Sequence, residues 1–139
     1  MDFNKCSTKT KDSRVVVKEH RSKFELINKD KLVVTKIQTD GCLIGEDKEK
    51  CDWIFAVERP NKIAMFIELK GCGVDKAISQ LKSTLKLTLN KFKNHKKRCY
   101  VVTTRVPKHG PKMHKKALKF FKDTNVVLIT KNATQSVTL

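Results

Sequence analysis

Between Lys76 and Lys122 the chain has no aspartate and no glutamate, although fifteen lysines and arginines fall in that window. All fourteen acids lie outside it, and the formal net charge is +17. A lysine-rich composition alone would add cations without also clearing a third of the chain of acids. A one-signed field of this kind attracts polyanions, and nucleic acid is the commonest of them. Lysines outnumber arginines 26 to 5, which suits phosphate contacts better than bidentate reading of base edges. Aromatic residues are scarce at 6%, which makes a poor stacking platform for single strands.

Long apolar runs are missing too. "CDWIFAV" and "IAMFI" are far too short to span a membrane, and "MDFNKCSTKTKDSR" at the start lacks the apolar core of a signal peptide. The five cysteines, at positions 6, 42, 51, 72 and 99, are odd in number and contain no CxxC pair. That pattern predicts reduced thiols in a cytoplasmic protein, not a disulfide framework, and no pair has the spacing of zinc ligands. There is no repeat and no low-complexity linker. The 139 residues therefore read as one domain, large enough to bury a core, with residues 1–13 as a polar, frayed start.

Periodicity supplies the elements. "SRVVVKEHRSKFELI" is β-branched but also compatible with helix. "KFELINKDKLVVTKIQTDGC" reads as a hairpin turning at Asn28 to Asp30, with its second strand near Leu32 to Gln38. "CDWIFAV" and "KIAMFIEL" form a second pair of strands around "ERPN". After Gly73, a plausible N-cap, Val74, Ala77, Ile78, Leu81, Leu85, Leu89 and Phe92 recur at helical spacing. "CYVVTT" is a buried strand. Pro111 opens a second helix with Met113, Ala117, Leu118 and Phe121 inward, and "VVLIT" is a last strand before a polar tail. The order describes an α/β chain with a mixed sheet flanked by helices.

Against this background Asp52, Glu68 and Lys70 stand out, because charge among apolar residues is costly unless compensated. Strand alternation points Ile63, Met65, Ile67 and Leu69 one way and Phe66, Glu68 and Lys70 the other. In a hairpin closed by "ERPN" the start of the first strand lies beside the end of the second, so Asp52 becomes a cross-strand neighbour of Glu68 or Lys70. Two unpaired carboxylates there would repel each other. A hard cation such as Mg²⁺ removes the conflict, binding one or two carboxylates together with phosphate oxygens and waters. The lysine would then hold or deprotonate a water, or neutralise charge on a phosphate, and Gly71 and Gly73 would let a phosphate backbone come close. The plainer reading is a structural ion pair at a strand end.

"CDWIFAVERPNKIAMFIELKG" followed by "DKAISQLKSTL" resembles the PD-(D/E)xK nuclease superfamily, whose fold is restriction-endonuclease-like, over about residues 32 to 130. The resemblance implies an Mg²⁺- or Mn²⁺-dependent endonuclease in which Asp52, Glu68 and the Leu69 carbonyl bind metal. It makes Lys70 the catalytic lysine and Gln80 an assisting residue on the following helix. Cys51 stands where many members have proline. A further acid occurs in many members; Glu19, Glu25 and Asp40 all compete for that place, with Asp40 ranked as the third ligand.

The basic runs "KFKNHKKR" and "KHGPKMHKKALKFFK" are the second element of the mechanism. They put Lys91, Lys93, Lys96, Lys97, Arg98, Lys108, Lys112, Lys115 and Lys116 alongside a bound backbone, with steep salt dependence. His95 and His109 read as solvated or phosphate-adjacent, Cys99 as core, and Trp53 as packing. Together these expectations describe a metal-dependent nuclease acting on DNA in preference to RNA, of low sequence specificity or selective for a junction or branch. Junction resolvases of this fold work as dimers, so the resemblance extends to a homodimer. A non-catalytic nucleic-acid-binding module and a toxin-like delivered nuclease domain remain as alternatives.

Overall fold

A computed structural model describes residues 1–70, 73–104 and 111–139, the side chain of Pro111 excepted. The strands are β1 (Ser7–Thr10), β2 (Arg14–Glu19), β3 (Ser22–Ile27), β4 (Val34–Gln38), β5 (Trp53–Val57) and β6 (Ile63–Lys70), then helix α1 (Val74–Leu87). They continue with β7 (Lys96–Thr103), α2 (Pro111–Thr124), β8 (Val127–Asn132) and β9 (Thr134–Thr138). A six-stranded mixed sheet has the order β1-β4-β5-β6-β7-β8, and β2, β3 and β9 form a second, three-stranded sheet. The first four strands of the large sheet pair antiparallel, whereas β6, β7 and β8 run parallel through the crossover helices α1 and α2.

The apolar composition of β6 follows from burial on both faces. Its even positions, Ala64 and Phe66, pack with Ile54, Ala56, Cys99 and Val101 against Ala77, Leu81 and Leu85 of α1 and Phe120 of α2. Its odd positions, Met65, Ile67 and Leu69, meet Phe55, Tyr100 and Val102 together with Val15, Val17, Phe24 and Leu26 of the small sheet. The result is a mixed α/β chain in three layers: small sheet, large sheet, helices. A strand buried on both sides reads as a continuous hydrophobic run for this reason. Among the described residues no helix is long and apolar enough to cross a membrane.

Several expectations differ from the structure. Asn28 does turn the chain, but it does not make a hairpin. Its buried amide donates to the Asp12 and Leu32 carbonyls at 3.1 and 2.8 Å and accepts from the Leu32 N–H at 3.0 Å, steering β3 and β4 into different sheets. The ambiguous segment 13–27 is instead the β2–β3 hairpin. The C-terminal tail is ordered as β9, which pairs parallel with β3. Helix α1 stops at Leu87, where the Thr88 hydroxyl donates to the Thr84 carbonyl at 2.8 Å. Leu89 is therefore 58% exposed, while Phe92 folds back, buried between Phe3 and Phe66. In α2 Met113 and Ala117 face inward as expected, but Phe120 is the buried residue of the stripe, and Leu118 and Phe121 are exposed.

The start of the chain is also built in. β1 pairs with β4, and the Gln38 N–H donates to the Cys6 carbonyl at 3.0 Å, extending that ladder past the strand end. Cys6 thereby comes to the turn after β4 and is disulfide-bonded to Cys42. This overturns the expectation of reduced thiols at these two positions. Cys51 and Cys99 are free and buried, as expected of Cys99, and Cys72 lies outside the described residues. The bridge closes a sequence separation of 36 residues. By the chain-entropy argument, Cys42→Ser is expected to lose about 3–4 kcal/mol of stability relative to the oxidised chain. Denaturant melts with and without reductant check this, and coincident curves for oxidised, reduced and variant protein would contradict it.

Candidate active site

The register of β5 and β6 sets the geometry. Trp53 lies opposite Ile67, so Asp52, one residue before β5, comes opposite Glu68 on the helix-facing side of the sheet. The Asp52 N–H donates to the Ile67 carbonyl at 3.1 Å, and its carboxylate accepts the Leu69 N–H at 2.7 Å. Leu69's backbone therefore rests against the carboxylate. Lys70 follows Glu68 on the same face, half-buried at the strand end.

The loop before Asp52 is clamped onto α1. Ser79 and Ser83 donate to the Glu49 side chain and carbonyl at 2.7 and 2.6 Å, and Lys76 pairs with the Glu49 carboxylate at 3.5 Å. The buried Thr84 hydroxyl accepts the Cys51 N–H at 2.8 Å. On the other side, the N–H groups of Thr39 and Asp40 donate to the Asp52 carbonyl at 3.1 and 3.4 Å. One turn of α1 before Thr84, the Gln80 amide nitrogen, oriented toward Glu68, donates to Oε2 of that carboxyl at 3.1 Å and to the Lys76 carbonyl at 3.3 Å. Gly73 caps α1 in the left-handed conformation, φ 86°, which only glycine adopts without strain. Gly71 lies outside the described residues.

Glu68 is 2% exposed, and its Oε1 is buried with no hydrogen-bond partner. Burial pushes its carboxyl up to about 9, reinforced by the Asp52 charge and opposed by Lys70. Burial likewise raises Asp52 to about 6, against the pull of the Leu69 N–H, and Glu19 and Asp40 add to the rise. The two acids thus titrate as a pair that holds about one proton at neutral pH.

Glu19 and Asp40 line a cleft of about 160 Å³ with Lys18, Gln38, Asp52 and Trp53. Asp40 also borders an adjoining cleft of about 280 Å³ that reaches Glu49, Lys76 and Gln80. Its side chain is 60% exposed and 4.0 Å from Lys50. Glu25 is elsewhere, paired in the small sheet with Arg14 and Lys23, both at 3.6 Å. Glu19 reaches the cleft because the β2–β3 hairpin turns at His20, φ 52°. No Asn-Gly or Asp-Gly marks that turn, so the sequence carried little signal for it.

The basic residues divide. Lys112, Lys115 and Lys116 open α2, and Lys116 pairs at 2.9 Å with Asp75 in the first turn of α1, which places this run at the carboxylate end of the sheet. Lys96, Lys97 and Arg98 begin β7, where Lys96 is opposite Ile63 and Val101 opposite Glu68. At the rise of an extended strand that puts Lys96 about 17 Å from the Glu68 level. Lys91 and Lys93 precede it, with Lys91 over the Phe3 ring at 5.0 Å. The first run is therefore at the opposite end of the sheet, not beside the site. His95 is not solvated: its side chain is 6% exposed, 3.0 Å from Glu58 and edge-on to Phe92. Trp53 packs with the inner layer and carries Lys36 over its ring at 5.3 Å. Lys108 and His109 lie outside the described residues.

Among the described residues no three His, Cys, Asp or Glu side chains gather as a metal-binding group. The pair of hard carboxyl oxygens donors, one of them orphaned in Glu68, nevertheless suits Mg²⁺ or Mn²⁺, which take one or two carboxylates and keep waters. No family model, curated protein or solved structure matches the chain.

The sign of the pH effect follows from the raised carboxyl. Folded Glu68 keeps its proton to about 9, whereas the unfolded side chain titrates near 4.5. Its contribution to stability is complete below the lower value and is lost as pH rises through the upper one. In EDTA, the Tm of the wild type is expected to go on falling from about pH 6, above the Asp52 titration, to about pH 9, while that of Glu68→Gln stays nearly flat over that range. Parallel profiles would show that Glu68 titrates as an ordinary glutamate.

Proposed function

We infer that this chain is a metal-dependent endonuclease of the PD-(D/E)xK type on a restriction-endonuclease-like fold, hydrolysing phosphodiester bonds of DNA. The observation that carries the reading is the meeting of Asp52 and Glu68 in the β5–β6 register, with Lys70 on the same face and Gln80 at the Glu68 carboxyl. Buried acids that share a proton are unfavourable for a fold and useful for a cation site, since the metal displaces the proton.

Asp52 and Glu68 would hold Mg²⁺ or Mn²⁺ together with the Leu69 carbonyl. Bound there, the ion supplies Lewis acidity toward a phosphate and makes water more acidic. Gln80 fixes the Glu68 carboxyl through its amide. Lys70 offers an ammonium to the attacking water or to the charge building on the phosphate. Glu19 and Asp40 border the same cleft and are available as further oxygen donors. Lys112, Lys115 and Lys116 supply phosphate contacts at that end of the sheet. They do not read bases, so the reading is of low sequence specificity or of selectivity for DNA shape such as a junction or branch.

Cleavage of supercoiled plasmid and of a synthetic four-way junction in Mg²⁺, Mn²⁺ or EDTA tests this. Nicking should require metal and vanish in Glu68→Ala, and Lys70→Ala should lower the rate on the order of a hundredfold or more. Binding with no cleavage by the wild type under any metal would leave a nucleic-acid-binding module. A separate measurement concerns the basic runs. Replacing Lys112, Lys115 and Lys116 by Gln should flatten the slope of log K against log salt by about 2 to 3. The same change at Lys91, Lys93 and Lys96 should leave it nearly unchanged. Equal effects of the two triple variants would contradict the division of the basic surface.

A further inference from the structure

The far end of the sheet holds a feature that the nuclease reading does not use. A groove of about 770 Å³ opens between the C-terminal halves of α1 and α2 and the start of β8. Its floor is apolar, formed by Leu85, Leu89, Phe121, Val126 and Val127. Leu89, Phe121 and Val127 are 58%, 47% and 49% exposed, and Leu118, 57% exposed, lies three residues before Phe121 on the same flank of α2. Apolar side chains gathered in this way are costly in water and mark interaction sites. The rim is cationic: Lys82, Lys86, Lys96 and Lys97 all line the groove. Among its described lining residues the only carboxylate is Asp123, already paired with Lys82 at 2.8 Å and with Lys119 at 3.2 Å.

We propose that this groove docks an acidic, amphipathic protein segment, whose apolar side chains cover Leu89, Phe121 and Val127 while its carboxylates meet Lys86, Lys96 and Lys97. Charge complementarity selects this occupant. A second copy of the chain would bring two lysine rims together, at a Coulombic cost. Nucleic acid would satisfy the lysines but leave aliphatic side chains against phosphate and sugar, with Phe121 the one exposed ring among the described lining residues on which to stack a base. An acidic segment with apolar anchors satisfies floor and rim at once, as helices do in apolar grooves. Since Lys96 lies at the opposite end of the sheet from Glu68, such a partner leaves the carboxylate cleft open. The proposal stands independently of the nuclease reading.

The probe is a fluorescein-labelled amphipathic peptide of Leu, Phe and Glu. It is compared by anisotropy with a polyglutamate peptide and a single-stranded oligonucleotide of equal charge, and its site is mapped by amide chemical shifts. The amphipathic peptide is expected to bind at least about tenfold tighter than polyglutamate, with shifts confined to α1 and the turn after it, the start of β7, α2 and β8. Leu89→Ser with Phe121→Ser should abolish that preference, and Lys86→Glu with Lys96→Glu should weaken binding. All four residues are exposed, so both variants should fold, which their Tm checks, and plasmid cleavage should be unchanged. Equal binding of polyglutamate, or an advantage that survives in the serine variant, would overturn the proposal. Tighter binding of the oligonucleotide, lost in the serine variant, would assign the groove to nucleic acid. A wild-type dimer in sedimentation that the serine variant dissolves would assign it to a second copy.

Discussion

The Asp52–Glu68 contact is set by backbone register and opposed by electrostatics. Pairing Trp53 with Ile67 leaves no freedom: the next position along each strand is an acid, and both point to the helix side. Slipping β5 by one residue would separate them, but it would also turn Ile54 and Ala56 away from α1 and break both cores. The hydrophobic pattern therefore enforces a juxtaposition that two carboxylates would avoid. Its cost, several kcal/mol for an unpaired buried ion, is reduced by a shared proton and by the Leu69 and Gln80 donors. Glu68 Oε1 is left over, buried and without a partner.

Everything around the pair serves to hold it. Helix α1 contributes on two fronts, clamping the approach to Asp52 through Ser79, Ser83 and Thr84 while presenting Gln80 to Glu68 from the same surface. The turn after β4 braces the Asp52 carbonyl from the other side and is itself tied to the chain start through Cys42 and Cys6. Donors on three separate segments thus converge on a loop end, which makes the acids part of a rigid frame and not of a mobile connection.

How much of this is visible in the sequence depends on range. The β5–β6 hairpin, the face shared by Glu68 and Lys70, and the crossover into α1 rest on strict alternation and short connections, and they are legible. The small sheet is not. Its β3–β9 pairing joins residues such as Glu25 and Ser136, and the polar alternation of the tail resembles a solvated end. Asn28 is a genuine turn residue whose buried hydrogen bonds redirect the chain between layers, which a local turn rule cannot distinguish from a hairpin. In α2, adjacent Phe120 and Phe121 offer a choice of inward residue, and only packing into the helix-facing core selects Phe120. The Cys6–Cys42 bridge depends on β1 joining the sheet, which the polar start conceals.

The basic window has a further lesson about direction. A lysine run that follows a helix and enters a parallel strand must lie at the end of the sheet where that strand begins, opposite the end where the preceding strand stops. The β6–α1–β7 crossover therefore separates "KFKNHKKR" from Glu68 by its topology, whatever the total charge, whereas α2, starting after β7 has returned, brings Lys112, Lys115 and Lys116 back. One contiguous block of positive sequence becomes two surfaces with different neighbours. At one end the lysines lie beside Asp75, just past the strand end that carries Glu68 and Lys70. At the other they rim Leu89, Phe121 and Val127, where phosphate gains nothing from the floor. Charge of the same sign at the two ends thus implies unequal chemistry, because the apolar surface beneath the charge decides what can bind.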